Sequence, residues 1–364
     1  MNQTKRRYNF NPGPAALPLG VLKEAQEQFV DYEGKGISLL EMSHRSRTVE
    51  ELNHETQLLL LSLLDLPKGY EVLFMGGGAS TQFALLPMNF LSRQLTASYA
   101  LTGSFAEKAY KEATYLGRTH VVASSKEQGY RSIPAWEAQD LSPDAAYVHI
   151  TMNNTIEGSR YAKIPEVGSI PLVGDMTSEI LSRKLDLTKF SMIYAGAQKN
   201  LGPAGVTVVL IRESWLEQAS GEIPEIMRYS TFAKNKSLFN TPPVHAIYMT
   251  NLVLKWTQKQ GGVEQLERNN LAKADLLYEV IDASGGFYQG IIDAKDRSPI
   301  NITWRMANSE LERRFIAESE NLGFEGLAGH RSVGGLRASA YNAVPLEACQ
   351  ALAEFMLDFA RRNG

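Results

Sequence analysis

One cysteine, Cys349, stands in a chain of 364 residues. That excludes intrachain disulfides and suits a reducing compartment. Ala348, Ala351, Leu352, Phe355 and Met356 surround it at helical spacing, so it reads as a core residue rather than a reactive thiol. The chain also lacks a long hydrophobic run. Leu58 to Leu64 is its longest leucine-rich stretch and is broken by Ser62, far short of the ~20 residues a bilayer span needs. Neither charge is in excess. With 37 basic and 40 acidic residues interspersed, the net charge is −3, so neither nucleic acid nor an anionic membrane is expected as a partner. The one basic cluster, Lys5-Arg-Arg7, reads as a solvated N-terminus. Tyr8-Asn-Phe-Asn-Pro12 follows it in place of an apolar core, so no signal peptide is expected. These absences point to a soluble, cytoplasmic protein. What is present is 44% hydrophobic residues, ample for a sizeable core, on a length that suggests about two domains.

The most informative stretch runs from Ser191 to Gly205. A short apolar run, Met192 to Ala195, delivers Lys199 into a segment built of Gly, Ala, Asn, Gln and Pro. A lysine among small residues at a strand end has room for a bulky group on Nζ. Burial there lowers its pKa, which a nucleophilic amine needs. A solvated hairpin lysine is the alternative. Asp175 weighs against it: Ile170 to Asp175 reads as a buried strand closed by a carboxylate. A pyridoxal phosphate enzyme needs such a group to hold the protonated ring nitrogen. Strands closing on Asp175 and on Lys199 would lie side by side in a parallel sheet, where ligands bind beyond the carboxyl ends.

Other strand ends supply the rest. Glu71 to Met75 reads as a strand, Gly76 to Thr81 as a small-residue turn, and Gln82 onward as a helix. Amides at that helix start would face a phosphate. The turn is not a P-loop, because no Gly-Lys-Ser/Thr follows, and Thr81 breaks the dinucleotide fingerprint. Ser98 to Thr102 reads as a strand leading to Phe105, which could stack on a flat ring or simply be buried, and to a helix from Ala106. Ala145 to Ile150 ends in Thr151-Met-Asn-Asn-Thr155, whose hydroxyl could bond a ring oxygen or the aspartate.

The carriers of a wider likeness are Asn9-Phe-Asn-Pro-Gly-Pro14, Met42-Ser-His-Arg45, Gly76-Gly-Gly-Ala79, Asn154-Thr-Ile-Glu-Gly158, Gly174-Asp-Met-Thr-Ser178, Gly196-Ala-Gln-Lys-Asn200, Phe239-Asn-Thr-Pro-Pro243 and Gly329-His-Arg-Ser-Val-Gly-Gly-Leu-Arg-Ala-Ser339. Through them the chain resembles the phosphoserine aminotransferases, fold-type I pyridoxal phosphate enzymes, over nearly its whole length. The resemblance implies Lys199 as Schiff-base lysine and Asp175 as partner of the pyridinium. It implies cofactor contacts from Ala79, Ser80, Phe105, Thr155 and Gln198. Asn240 and Thr241 would reach the cofactor phosphate of a neighbouring subunit, which implies a homodimer with shared active sites; no metal is implied. Two departures stand out: many members carry Trp in place of Phe105 and Arg in place of Ser80. The first keeps an aromatic face. The second removes a cation from the phosphate region.

The implied fold is α/β, a mainly parallel seven-stranded sheet flanked by helices plus a small C-terminal α+β domain. We expect an N-terminal segment over 1–15, a cofactor domain over 16–260 and a small domain over 261–364, divided near Gln260-Gly261-Gly262. Strand Val206 to Ile211 follows Lys199 too closely for a parallel crossover, so it should run antiparallel. Ser309-Glu-Leu-Glu312 reads as a capping box, Gly334 to Ala340 as a strand, and Pro345 as the start of the final helix. The implied reaction is ping-pong exchange of an amino group between L-glutamate and 3-phosphohydroxypyruvate, giving O-phospho-L-serine and 2-oxoglutarate. Both amino acids carry a distal anion, and planar guanidinium groups suit carboxylate and phosphate alike. The resemblance puts Arg337 on the α-carboxylate, and His44, Arg45, His330 and Arg331 on the distal anion, some of them from the partner subunit. A glyoxylate-using aminotransferase would lack two distal basic pairs. A cysteine desulfurase would need a mobile loop cysteine, which Cys349 is not.

Overall fold

The computed structural model describes residues 6–364; the expected solvation of Lys5 lies outside them. Tyr8–Asn9 forms β1. The central sheet is built of Tyr70–Met75 (β2), Thr96–Leu101 (β3), Arg118–Ser124 (β4), Ala145–Thr151 (β5), Leu172–Asp175 (β6), Met192–Gly196 (β7) and Thr207–Arg212 (β8), in the order β2-β8-β7-β6-β5-β3-β4. β6 and β7 are buried at every position. Such continuous burial is what a parallel sheet covered on both faces demands. Parallel pairing joins β7, β6, β5, β3 and β4, while β8 runs antiparallel to both β7 and β2. The short connection after Lys199 permits nothing else.

Helices cover both faces: Leu19–Glu27 (α1), Arg47–Leu63 (α2), Gly78–Phe90 (α3), Ser104–Thr114 (α4), Glu213–Leu216 (α5), Tyr229–Lys234 (α6), Val244–Lys259 (α7) and Gly262–Ala283 (α8). α3 and α4 pack against one face over a core that includes Phe83, Tyr99, Tyr147 and Tyr194. α2 and the long α7 lie towards the other, where Leu60, Ile150, Ile193 and Leu254 meet. Helix α3 starts at Gly78, four residues before the expected Gln82. Gly77 and Gly78 take φ of +88° and +72°, turning the chain straight from β2 into the helix. A Cβ on Gly77 would lie 2.2 Å from Thr81 Oγ1, so only glycine fits that turn.

The C-terminal part holds Gln289–Gly290 (β9), Asn301–Arg305 (β10), Ser309–Asn321 (α9), Phe324–Glu325 (β11), Leu336–Ser339 (β12) and Leu346–Asn363 (α10). β10 lies between β9 and β12, antiparallel to both, over a core with Trp304, Phe315, Met356 and Phe359. Cys349 belongs to the same core and is fully buried. Phe10 joins it too, because β1 pairs parallel with β11, Tyr8 opposite Phe324. The cap of α9 differs from expectation. Asn308 is the N-cap, its Oδ1 accepting from Glu310 N at 3.1 Å and Leu311 N at 2.9 Å. Ser309 is thus the first helical residue, since the extended Asn308 already reaches the free amides. Pro345 sits one position outside α10, as its N-cap. No helix among the described residues is long and apolar enough to cross a membrane.

Candidate active site

β6 and β7 are neighbours in the sheet, and their ends carry Asp175 and, three residues past Gly196, Lys199. A cavity of about 280 Å³ opens over these ends. Lys199, Asp175, Phe105, Thr155, His330 and Arg337 line it, as do Ala79, Ser80 and Gln198. Lys199 is 8% exposed. Its Nζ donates to Thr155 Oγ1 at 2.6 Å and lies 5.6 Å from the centre of the Phe105 ring. Burial pulls the Lys199 pKa from 10.5 to about 8, with Asp175 opposing the fall and Arg337 adding to it. The solvated alternative is therefore not what the fold builds.

Burial pushes the Asp175 carboxyl upward, while Thr177, Lys199 and Tyr194 pull it back towards the charged form. The Thr177 amide donates to Asp175 Oδ1 at 2.9 Å. Thr155 Oγ1 donates to Ser178 Oγ at 3.0 Å, which in turn donates to Asn153 O at 2.8 Å. Its hydroxyl therefore meets the lysine rather than the aspartate. From the C-terminal part of the chain, Arg337 on β12 is buried and donates through Nη1 to Thr155 O at 2.8 Å. Among the described residues its Nε has no partner, and neither has the Thr151 hydroxyl on the cavity wall.

Phe105 is fixed from the rear. Glu157 Oε1 accepts from Ser104 N at 2.8 Å and Ser104 Oγ at 2.6 Å, capping α4 from a different loop. Pro12 and Gly13 close the cavity from the N-terminal side. An added Cβ on Gly13 would lie 3.3 Å from Lys199 Cγ, and Ala15 N donates to Gln198 O at 2.9 Å.

The predicted distal-anion group divides. His330 lines the cavity, but Arg331, His44, Arg45, Asn240 and Thr241 do not. Thr241 Oγ1 lies 3.2 Å from His44 Nδ1. Asn240 and Thr241 line a second cavity with Gly76, Gly77 and Thr81, behind the start of α3. Sequence reasoning missed Asn153, Ser178, Thr177 and Lys108. The Nζ of Lys108 lies 4.9 Å from the Phe105 ring centre, and its charge also bears on His330. Lys108 stands three residues after Phe105, so helical spacing could have flagged it.

The donor set suits a flat, phosphorylated, nitrogen-containing ring. A low-pKa amine and a buried carboxylate stand on adjacent strand ends beside an aromatic face. At the phosphate end, α3 starts without any side-chain cap, leaving its first amides free for an anion.

Residues 7–352 match the family described as Aminotransferase class-V. The chain is 55% identical over 361 residues to the phosphoserine aminotransferase of Niallia circulans, covering 99% of this chain and 100% of that one. The solved phosphoserine aminotransferase from Bacillus circulans subsp. alkalophilus is similar at a TM-score of 0.97 and 55% identity, over 99% of this chain and 100% of that chain. A pyridoxal-phosphate-bound phosphoserine aminotransferase from Trichomonas vaginalis gives a TM-score of 0.91 at 35% identity, over 97% and 100%.

Proposed function

The chain belongs to the class-V aminotransferases, and from that premise we propose that it is a phosphoserine aminotransferase, moving an amino group from L-glutamate to 3-phosphohydroxypyruvate with pyridoxal 5′-phosphate as cofactor. The carrying observation is the full-length likeness to phosphoserine aminotransferases at 55% identity.

Lys199 would hold the cofactor through Nζ, Asp175 would face its ring nitrogen and Phe105 one face of its ring. Ala79 and Ser80 would meet its phosphate, with Thr155 and Gln198 at the ring edge. When bound, the cofactor supplies an electron sink for the bonds at the substrate Cα. Lys199 Nζ would take the proton from the substrate Cα. A base with a pKa of about 8 suits that exchange near neutral pH. Arg337 holds the α-carboxylate through the donors that Thr155 O leaves free. Buried beside the cavity, its guanidinium also excludes water from the carboxylate.

The distal anion is a carboxylate on glutamate and a phosphate, carrying roughly −1.5 to −2 charges, on phosphoserine. His330 would meet it from the cavity wall, joined by Arg331 from outside that lining and by His44 of the partner subunit and Arg45 of the partner subunit. Asn240 and Thr241 of the partner subunit would reach the cofactor phosphate. What supports a homodimer is the grouping of Thr241 with His44 away from this chain's own lysine cavity. A cytoplasmic location belongs to the same reading and is supported by the single, buried, unpaired Cys349.

The test is the visible absorbance of the purified holoenzyme before and after O-phospho-L-serine, and separately L-serine. Loss of the cofactor band with phosphoserine alone is expected. Equal response to both amino acids would move the function to another aminotransferase, and no band even with added cofactor would end the reading.

A further inference from the structure

His149 is a buried titratable group to which the reaction above gives no part. It stands on β5, two residues before Thr151, and is 1% exposed. Its ring lies between those of Tyr99 on β3 and Tyr194 on β7, with centres 5.1 Å and 5.9 Å away. Nε2 is 2.7 Å from the Tyr194 hydroxyl, and Nδ1 has no partner among the described residues. Burial pushes the imidazole pKa down to about 3, so the ring is neutral. A neutral imidazole has one N–H and one bare nitrogen. An orphaned N–H in the interior is the rarer and costlier of the two. The proton therefore sits on Nε2 and is donated to the Tyr194 oxygen. That occupies the hydroxyl as an acceptor and turns its own hydrogen elsewhere. The register of β6 with β7 sets Tyr194 beside Asp175, and the Tyr194 hydroxyl is among the groups that pull that carboxyl towards its charged form.

We propose that His149 and Tyr194 are positioning residues: Nε2–H to Tyr194 Oη, and Oη–H to Asp175, form a two-step buttress that keeps the carboxylate ionised and aimed at the cofactor's ring nitrogen. The inference rests on the proposed role of Asp175. Asp175 is deep in the sheet, where a carboxyl would rather be neutral. A neutral carboxyl could not hold the proton of a pyridinium. The Thr177 amide supplies one stabilising donor, and Tyr194, opposite Asp175 on the neighbouring strand, is placed to supply another. Histidine suits the rear position because its two nitrogens differ. One must donate to fix the direction of the tyrosine proton, and the other must tolerate being bare. The aromatic rings on either side hold the imidazole plane.

Tyr194→Phe keeps the ring and removes the hydroxyl. A hydrogen bond to a charged group is worth roughly ten- to a hundredfold in an equilibrium. Titrating the apoprotein with pyridoxal phosphate should show the dissociation constant weakened by about that factor. In the holoenzyme kcat should fall comparably while KM for the amino donor stays within about twofold, because the carboxylate acts on the ring and not on the substrate. His149→Phe should move both readouts the same way by less, and His149→Gln, which keeps an N–H donor, should recover them. Cofactor affinity and kcat both within about twofold of wild type in Tyr194→Phe would overturn the proposal. So would equal losses in both His149 variants, the mark of packing alone. Should Tyr194→Phe not fold, nitrogen NMR of labelled histidine in the wild-type holoenzyme decides. A neutral Nε2–H form is expected, and an Nδ1–H or doubly protonated ring at about pH 6 refutes it. Cofactor affinity and tautomer do not depend on which amino acid is consumed, so they test the buttress even if phosphoserine proves not to be the substrate.

Discussion

Capture of pyridoxal phosphate by the apoprotein should follow the ionisation of Lys199 near pH 8 rather than above 10. Only the neutral amine attacks a carbonyl. An ordinary lysine with a pKa of 10.5 is neutral in about one molecule per thousand at pH ~7.5, whereas one at about 8 is neutral in roughly a quarter. The reactive fraction is therefore raised by a few hundredfold. The cause is burial, and in thermodynamic terms the drop disfavours the ammonium by roughly 3 kcal/mol. In stopped-flow mixing at sub-saturating cofactor, the rate should climb about tenfold per pH unit from pH ~6 and level off above about pH 8. A rate still climbing at pH ~10 would refute the argument. The sign for stability follows. With a folded pKa below the unfolded one, the folded chain binds fewer protons between about 8 and 10.5, so apoprotein stability should rise across that window. Below about pH 8 the penalty is fully present. Lys199→Ala should therefore be catalytically dead, yet its apoprotein should be more stable than wild type at pH ~7, by up to roughly 3 kcal/mol less the lost packing of the lysine stem. Urea unfolding of both apoproteins checks this, and a less stable variant would mean the ammonium is well solvated.

Asp175→Ala should loosen the cofactor and lower kcat on the order of a hundredfold; near-normal turnover would show that another carboxylate faces the ring. Gly103→Ala would put a methyl 2.6 Å from both Asn154 Oδ1 and Glu157 Oε2, costing about 1–3 kcal/mol and read as a lower denaturation midpoint at unchanged slope. Mixing inactive Lys199→Ala with inactive Arg45→Ala subunits should restore about a quarter of wild-type activity, because half the dimers would then own one intact site. No recovery after confirmed subunit exchange would place Arg45 in its own chain's site.

Lys199 and Asp175 could be read from the sequence because each closes an apolar run, and a strand end in a parallel sheet has one place to point. The antiparallel turn of β8 was legible for a similar reason, since six residues between Lys199 and Val206 leave no room for a crossover. Features set by contacts across the fold were not. Thr155 meets Lys199 and Arg337 only because three distant segments converge, and nothing in Asn154-Thr-Ile-Glu157 announces it. The pattern Ser309-Glu-Leu-Glu312 points to Ser309 as the cap, whereas Asn308 holds it: both are good cap residues, and only the backbone angles decide between them. His149, alone among apolar neighbours in β5, was a signal passed over. A histidine inside a central strand has to find a hydrogen-bond partner there.

The pairing of β1 with β11 has a consequence for the birth of the protein. Tyr8 finds its partner at Phe324, and the same leading segment brings Pro12 and Gly13 over the lysine. A contact between such remote parts of a chain forms late. On the ribosome, where synthesis runs from the N-terminus, the sheet and its reactive amine can be complete while the wall around them still waits for Phe324 to emerge. A nascent chain thus has no finished wall over Lys199 until Phe324 is free to pair with Tyr8.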